Sequence, residues 1–502
     1  VYQVRNSKPN ILLFISDQQR RDTLGFRGET ACSTPNMDRM AHEGVSFDHA
    51  ITTAPLCTPA RASMFTGLYP HQTGMALNPE GMAGREADHD SNRKPRLQAP
   101  VLMQYLREAG YRCYYSGKWH LDYQTLQEST DEIAGFADGP PRVGAQYSAW
   151  CKQRGIPDGI LHHPIPGNPY RSKRYPNMTI PKTGMHPLRK GQDFDAWIVD
   201  HALRLLEARD RQYPFFLVCS VAGPHPPLVV PKEYYDMYDP SAIPEPANFS
   251  PGSGEPGFLR DSYFRLLRND WGTSWNAWQK SVAVYWAYVT YVDELYGKVL
   301  NWLEREELLD GTLVIMTSDH GEMMGQHGLW QKMCPYEEAV RVPFLMRLPG
   351  IIRANQRCIA PVSHIDIAPT ILSAAEVSPP AATLGVNLLE LTDDPVPSLI
   401  HRDVFSQYIL HEDWEWHRVR DWRLVVHGTW KFVFHDGGAE ELYNVEEDPR
   451  EMENQAGAPL LQPLVKELRE ALLDWMVHTG DPLTDRARPW LDSRGGPRKV
   501  SV

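Results

Sequence analysis

Ile11-Leu12-Leu13-Phe14-Ile15-Ser16-Asp17-Gln18 runs through five apolar residues without alternation and then turns polar at once. A short stretch with apolar side chains on both faces reads as a strand buried on both sides, as in a parallel sheet. The same design recurs. Tyr111 to Tyr115 leads into Ser116-Gly117-Lys118-Trp119-His120, Phe215 to Val221 into Gly223-Pro224-His225, and Leu313 to Thr317 into Ser318-Asp319-His320. Between these runs lie helical patterns, clearest in Val282, Tyr285, Val289, Val292, Tyr296, Val299 and Leu303, whose spacings of three and four make one buried face. Strands alternating with such helices predict an α/β fold covered on both sides, in which ligands gather at the carboxyl ends of the strands. All four polar clusters stand at such ends.

The chain has 502 residues, enough for a large core plus one smaller unit. Its 63 acidic residues outnumber 51 Lys and Arg for a net charge of −12, which excludes a sequence-independent grip on nucleic acid. Any anion must therefore meet a local cluster of positive groups. The longest apolar run, Val282 to Val292, stops at Asp293 and Glu294, short of the ~18 residues a membrane span needs. The chain reads as soluble, and its compartment, cytoplasmic, periplasmic or secreted, stays open. Seven scattered cysteines without CxxC pairs indicate neither a zinc ribbon nor a disulfide framework.

The stretches from Ile156 to His186 and from Pro240 to Arg268 show no period and read as long excursions over the site. Pro379-Pro380 marks the expected boundary between a catalytic unit over 1–378 and a smaller one over 379–502. In the second unit, Trp422 to Val426 and Trp430 to Phe434 flank His427-Gly428-Thr429 as a hairpin, and a helix runs from about Leu460 to Met476. That unit should be a small antiparallel sheet with a packed helix. The tail from Thr479 is expected to wrap the surface or serve a neighbouring subunit.

The most informative chemistry lies in Cys57-Thr58-Pro59-Ala60-Arg61. Pro59 suits the first turn of a helix, which puts Cys57 at an N-terminus favourable to an anion. Arg61 follows one turn later on the same face. Alone, such a cysteine is an ordinary core residue. Asp17 and Asp319 with His320 end two strands and could converge on one cation, an oxygen-rich set with one imidazole that suits Ca²⁺, Mg²⁺ or Mn²⁺ better than a closed zinc site.

Cys57-x-Pro59-x-Arg61, followed by a short helix that ends in Thr66-Gly67, resembles the maturation motif of the formylglycine-dependent sulfatases of the alkaline-phosphatase-like superfamily. Lys118 and His120, His225, Asp319-His320 and Lys332 match that family in order, and Glu441-Leu442-Tyr443-Asn444 with Asp448, Pro449 and Glu451 resembles its C-terminal landmark. Glu338 and Arg341 also match, as structural support. The resemblance implies a large mixed, mostly parallel sheet flanked by helices, with a smaller C-terminal antiparallel sheet. It further implies sulfate monoester hydrolysis by a formylglycine made from Cys57 by a maturation enzyme, with one divalent cation, Ca²⁺ first and Mg²⁺ or Mn²⁺ as alternatives. The expected metal ligands are Asp17, Gln18, residue 57, Asp319 and His320. Arg61 would hold the helix start, Lys118 and Lys332 would balance substrate charge, His225 would protonate the leaving group and His120 would act as base. The substrate would be a small-molecule or saccharide sulfate ester, and family habit suggests a homo-oligomer.

Gln18 stands where the family often has an acid, which removes one negative charge. Gln18 and Asn78, the latter in a substrate-contacting position, lean toward a phosphonate monoester or phosphodiester hydrolase with the same nucleophile, whereas Lys118 and His120 lean back toward a sulfatase. The loops over 156–186 and 240–278 and the residues Trp414, Trp416 and His417 are candidate pocket walls.

Overall fold

The computed structural model describes residues 8–78, 96–137, 145–156, 183–186, 188, 190–250, 274–391, 401–409 and 420–492. The excursions over 157–182 and 251–273, Trp414, Trp416, His417 and the last ten residues of the tail lie outside the described residues.

All four apolar runs are strands: β1 (Asn10–Ser16), β3 (Arg112–Lys118), β6 (Phe215–Ser220) and β8 (Thr312–Ser318). With β2 (Val45–Ile51), β4 (Glu132–Ala137), β9 (Phe344–Arg347) and β10 (Gln356–Ser363) they form an eight-stranded sheet in the order β10-β2-β9-β8-β1-β6-β3-β4. Pairing is parallel except where β9 runs against β2 and β8. Neighbouring residues of β1 feed different cores. Leu12 and Phe14 pack with the helices Phe194–Ala208 and Asn276–Arg305, whereas Ile11, Leu13 and Ile15 pack with Phe65, Leu102 and Ile371 on the other face. That two-sided burial is why these strands show no alternation.

The C-terminal hairpin belongs to a four-stranded antiparallel sheet of β11 (Asp403–Tyr408), β12 (Trp422–His427), β13 (Trp430–His435) and β14 (Ala439–Asn444). One face carries the helix Gln462–Thr479 on Val425, Phe432, Phe434 and Leu442. The other buries Leu424, Val426 and Val433 against Met323, Met333 and Tyr336 of the large unit. The described part of the tail, up to residue 492, packs on the preceding helix through one face and leaves the other exposed. Residues Thr484–Leu491 form a helix whose Leu483, Ala487 and Leu491 flank are buried in the same core as the preceding helix, because those apolar residues recur on one helical face. No helix among the described residues is long and apolar enough to cross a membrane.

Arg423 of β12 reaches Asp481 with two hydrogen bonds, 2.5 Å from Nε and 2.7 Å from Nη2, and both side chains are fully buried. Burial pushes the Asp481 carboxyl up, but Arg423 outweighs it and holds the group below the ordinary aspartate range. Because the folded pKa is depressed, the pair's stabilisation is present in full at neutral pH. It is lost as the pH falls below the unfolded value of ~3.9. Asp481→Ala strands the guanidinium and should cost about 3–5 kcal/mol at neutral pH, read as a lowered thermal midpoint. An unchanged midpoint would contradict this role.

Candidate active site

The strand ends converge as the fold class requires. Asp17 follows β1, Lys118 ends β3, Asp319 and His320 follow β8, and Cys57 is the first residue of the helix Cys57–Thr66, all ten residues of which are buried. Close approach of β3 to β6 sets part of this geometry. Gly117 has φ of 108°, and a Cβ there would stand 1.9 Å from the Ser220 carbonyl oxygen. Only glycine fits. Gln18 and His120 are non-glycine residues with φ of 67° and 63°, the left-handed backbone that concentrates at functional sites.

The Cys57 sulfur lies 3.2 Å from His320 Nε2, 3.7 Å from Lys332 Nζ and 3.9 Å from Asp17 Oδ1. Burial alone would raise its pKa, but the charges of Lys118, Lys332 and His320 and a hydrogen bond with His120 pull it well below the ordinary thiol range. Position 57 is therefore built to hold negative charge.

Arg61 is fully buried and donates from Nε to Asp319 Oδ2 at 2.9 Å, from Nη2 to Asp17 Oδ2 at 3.3 Å, and from Nη1 to the Lys118 carbonyl and Ser220 Oγ at 2.8 Å each. Lys118 Nζ also donates to Asp17 Oδ2. Both cations thus take the outer carboxylate oxygens. The inner ones face His320: Nε2 is 3.6 Å from Asp319 Oδ1 and 4.0 Å from Asp17 Oδ1. Asp17, Cys57, Asp319 and His320 bring one ligand atom each within 4.8 Å of one another, and all are buried. Burial raises the Asp319 pKa, but His320 and Arg61 outweigh it and keep the group ionised.

Gln18 does more than omit a charge. Its Oε1 accepts from Lys332 Nζ, its Nε2 donates to Glu322, and its backbone N–H donates to Asp319 Oδ1 at 3.0 Å. Glu322, which sequence reasoning missed, is buried and also accepts from the Gln331 and Met324 N–H groups at 2.6 and 3.2 Å. An acid two residues after Asp319-His320 was its only signal. His364, likewise missed, bonds the Ser318 carbonyl at 3.0 Å and Thr52 Oγ1 at 3.1 Å, bracing the turn that presents Asp319. Asn78 Oδ1 accepts the Thr58 N–H at 3.0 Å, so this residue caps the helix that starts at Cys57. The Thr58 hydroxyl donates to the His120 carbonyl at 2.9 Å and ties that residue to the same helix start. His225 is half-buried, its Nδ1 2.7 Å from the Pro226 carbonyl. Burial and Lys332 lower its pKa.

Residues 9–377 match the family model described as "Sulfatase". The chain belongs to the sulfatase family. Residues 325–478 match a second model, "N-sulphoglucosamine sulphohydrolase, C-terminal". An arylsulfatase of Clostridium perfringens is 27% identical over 95% of this chain and 96% of its own length. An N-acetylglucosamine-6-O-sulfatase of Bacteroides thetaiotaomicron is 26% identical over 93% of this chain and 86% of its own. Among solved structures, a protein in complex with its substrate D-glucosamine-2-N,6-O-disulfate superposes with a TM-score of 0.75 at 23% identity, over 96% of this chain and 99% of its own. The phosphonate monoester hydrolase of Agrobacterium radiobacter reaches 0.76 at 23% identity, over 94% and 96%. The likeness in fold to both is equally close. Membership and the sulfatase relatives make this chain a sulfatase enzyme.

Proposed function

We propose that this sulfatase hydrolyses the sulfate monoester of a small molecule or saccharide to an alcohol and inorganic sulfate, using formylglycine made from Cys57 by a maturation enzyme and a divalent cation, Ca²⁺ first with Mg²⁺ or Mn²⁺ as alternatives. One observation carries the reading: residue 57 opens a buried helix at the point where Lys118, Lys332 and His320 all draw negative charge. The donor set fits a hard cation, since Asp17 Oδ1, Asp319 Oδ1 and His320 Nε2 face inward while Arg61 and Lys118 occupy the outer oxygens. Gln18, its carbonyl oxygen engaged by Lys332, would be an outer support or a weak ligand.

The modified side chain supplies an oxygen nucleophile, and the cation, when bound, favours its ionised form and offsets charge on the sulfate. Lys118 and Lys332 flank position 57 and neutralise the sulfate oxygens as the ester bond breaks. Arg61 bonds both aspartates and keeps them in register. His225 Nε2 gives a proton to the departing oxygen; its Nδ1, against the Pro226 carbonyl, fixes the ring. His120, hydrogen-bonded to position 57, is the base that returns the site to its starting state.

The tryptic peptide from Met40 to Arg61 should have a mass lowered by exchange of CH₂SH for an aldehyde. Only unmodified cysteine in protein made with a maturation enzyme would overturn the nucleophile. A second reading rests on Gln18 and on Asn78 beside residue 57: an aryl phosphonate monoester turned over faster than an aryl sulfate would make the enzyme a phosphonate monoester hydrolase.

A further inference from the structure

A second group of potential ligands lies apart from the active site and shares no residue with it: His327, Glu338 and Glu451, each more than nine-tenths buried or at that limit, with exposures of 7%, 9% and 3%. They come from three separate places in the chain. His327 sits in the 3₁₀ turn Gln326–Gly328, Glu338 in the short helix Glu337–Val340, and Glu451 in the turn after β14. One ligand atom from each falls within 4.8 Å of the other two.

Two of those side chains bring buried atoms that no protein group satisfies. His327 Nε2 and Glu338 Oε2 lie out of contact with solvent and have no hydrogen-bond partner. The His327 ring is held firmly. It stacks on Tyr336 with centroids 3.8 Å apart and planes 7° apart, and it hydrogen-bonds the Arg450 backbone. Nε2, without a hydrogen-bond partner, is the ring atom left to offer a lone pair to an ion. A buried imidazole nitrogen and carboxylate oxygen left without partners are destabilising, and a bound ion would supply what both lack.

Charges of both signs surround the cluster. Glu337, Glu338 and Glu451 are buried together, and Lys431 answers two of them, bonding Glu337 at 3.0 Å and contacting Glu451. Glu338 lies 3.8 Å from Arg450 through Oε1 and also faces Arg20, and Arg341 pairs with Glu337 at 3.1 Å.

We infer that His327, Glu338 and Glu451 form a second, structural cation site that takes a divalent first-row ion such as Zn²⁺. One imidazole and two carboxylates suit zinc or manganese better than calcium or magnesium. Because Glu451 belongs to the C-terminal part and the other ligands to the large unit, the ion staples the two together.

The test uses full-length protein equilibrated with micromolar Zn²⁺ and freed of loose metal by gel filtration, with metal counted by mass spectrometry. Wild type should hold one equivalent more than His327→Ala. The double variant Asp17→Asn, Asp319→Asn, which disables the active-site cluster, should keep one equivalent and a zinc-dependent rise in melting temperature of about 2–3 °C. Equal zinc in wild type and His327→Ala would overturn the site. Should His327→Ala fail to fold, a double variant without zinc or thermal shift overturns it equally. Loss of metal from the active site alone would alter turnover and leave these results in place.

Discussion

Cys57→Ala is expected to lower turnover of an aryl sulfate by about 10⁴-fold or more, with the melting temperature little changed. The size follows from what remains. Lys118, Lys332, His320 and Arg61 would still bind and polarise a sulfate, but no side-chain oxygen could form at position 57. The fold should tolerate the change because the helix start is secured by its neighbours: Asn78 accepts the Thr58 N–H, and the Thr58 hydroxyl bonds the His120 carbonyl. Cys57→Ser sharpens the test. A serine keeps an oxygen but has no second hydroxyl through which to release sulfate, so it should give at most a single turnover. Sustained activity in either variant would refute formylglycine as the nucleophile.

Stripping divalent cations should lower activity by about 10³-fold, with recovery on adding Ca²⁺, Mg²⁺ or Mn²⁺. The inner oxygens of Asp17 and Asp319 explain why. Arg61 and Lys118 occupy the outer oxygens, which leaves Asp17 Oδ1 and Asp319 Oδ1 on the side of residue 57 and His320. Without an ion, an approaching sulfate would meet these inner carboxylate oxygens with no metal charge to offset them. Assays in chelator against chelator plus each metal decide the matter, and activity indifferent to chelation at low metal would count against the Asp17, Asp319 and His320 site.

Much of this architecture can be read from local pattern. The four strand runs, the helix face from Val282 to Leu303 and the β12–β13 hairpin each carry their own signal, since burial on one or two faces leaves a period in the chain. Other parts have no local signal. β2 contains Ser46, Asp48 and His49, which look like surface residues yet are buried; Asp48 is held by Arg27 at 2.7 Å and by Arg357, partners far away in sequence. The reversed strand β9 is four residues long and finds its place only through β2 and β8. In the site, sequence order was enough to nominate Cys57, Asp17, Asp319 and Lys332, which the fold does gather. It could not nominate Glu322 or His364, whose importance lies in contacts with Gln18 and Ser318. Nor could it tell that Asn78 would spend its side-chain oxygen on the helix start.

The C-terminal sheet grips the loop that carries Lys332. Trp422 Nε1 donates to the Met333 carbonyl at 3.0 Å, Tyr408 packs its hydroxyl on the Met333 sulfur, and Lys431 donates to the Pro335 carbonyl at 2.9 Å. Gln331 and Met333 themselves stand at φ of 73° and 78°, backbone that needs such bracing. Heredity is therefore constrained in a way the two-sheet layout conceals. A gene fragment ending before β11 would encode every residue of the catalytic centre and still lose the placement of one, so the two sheets must be exchanged, truncated or evolved together.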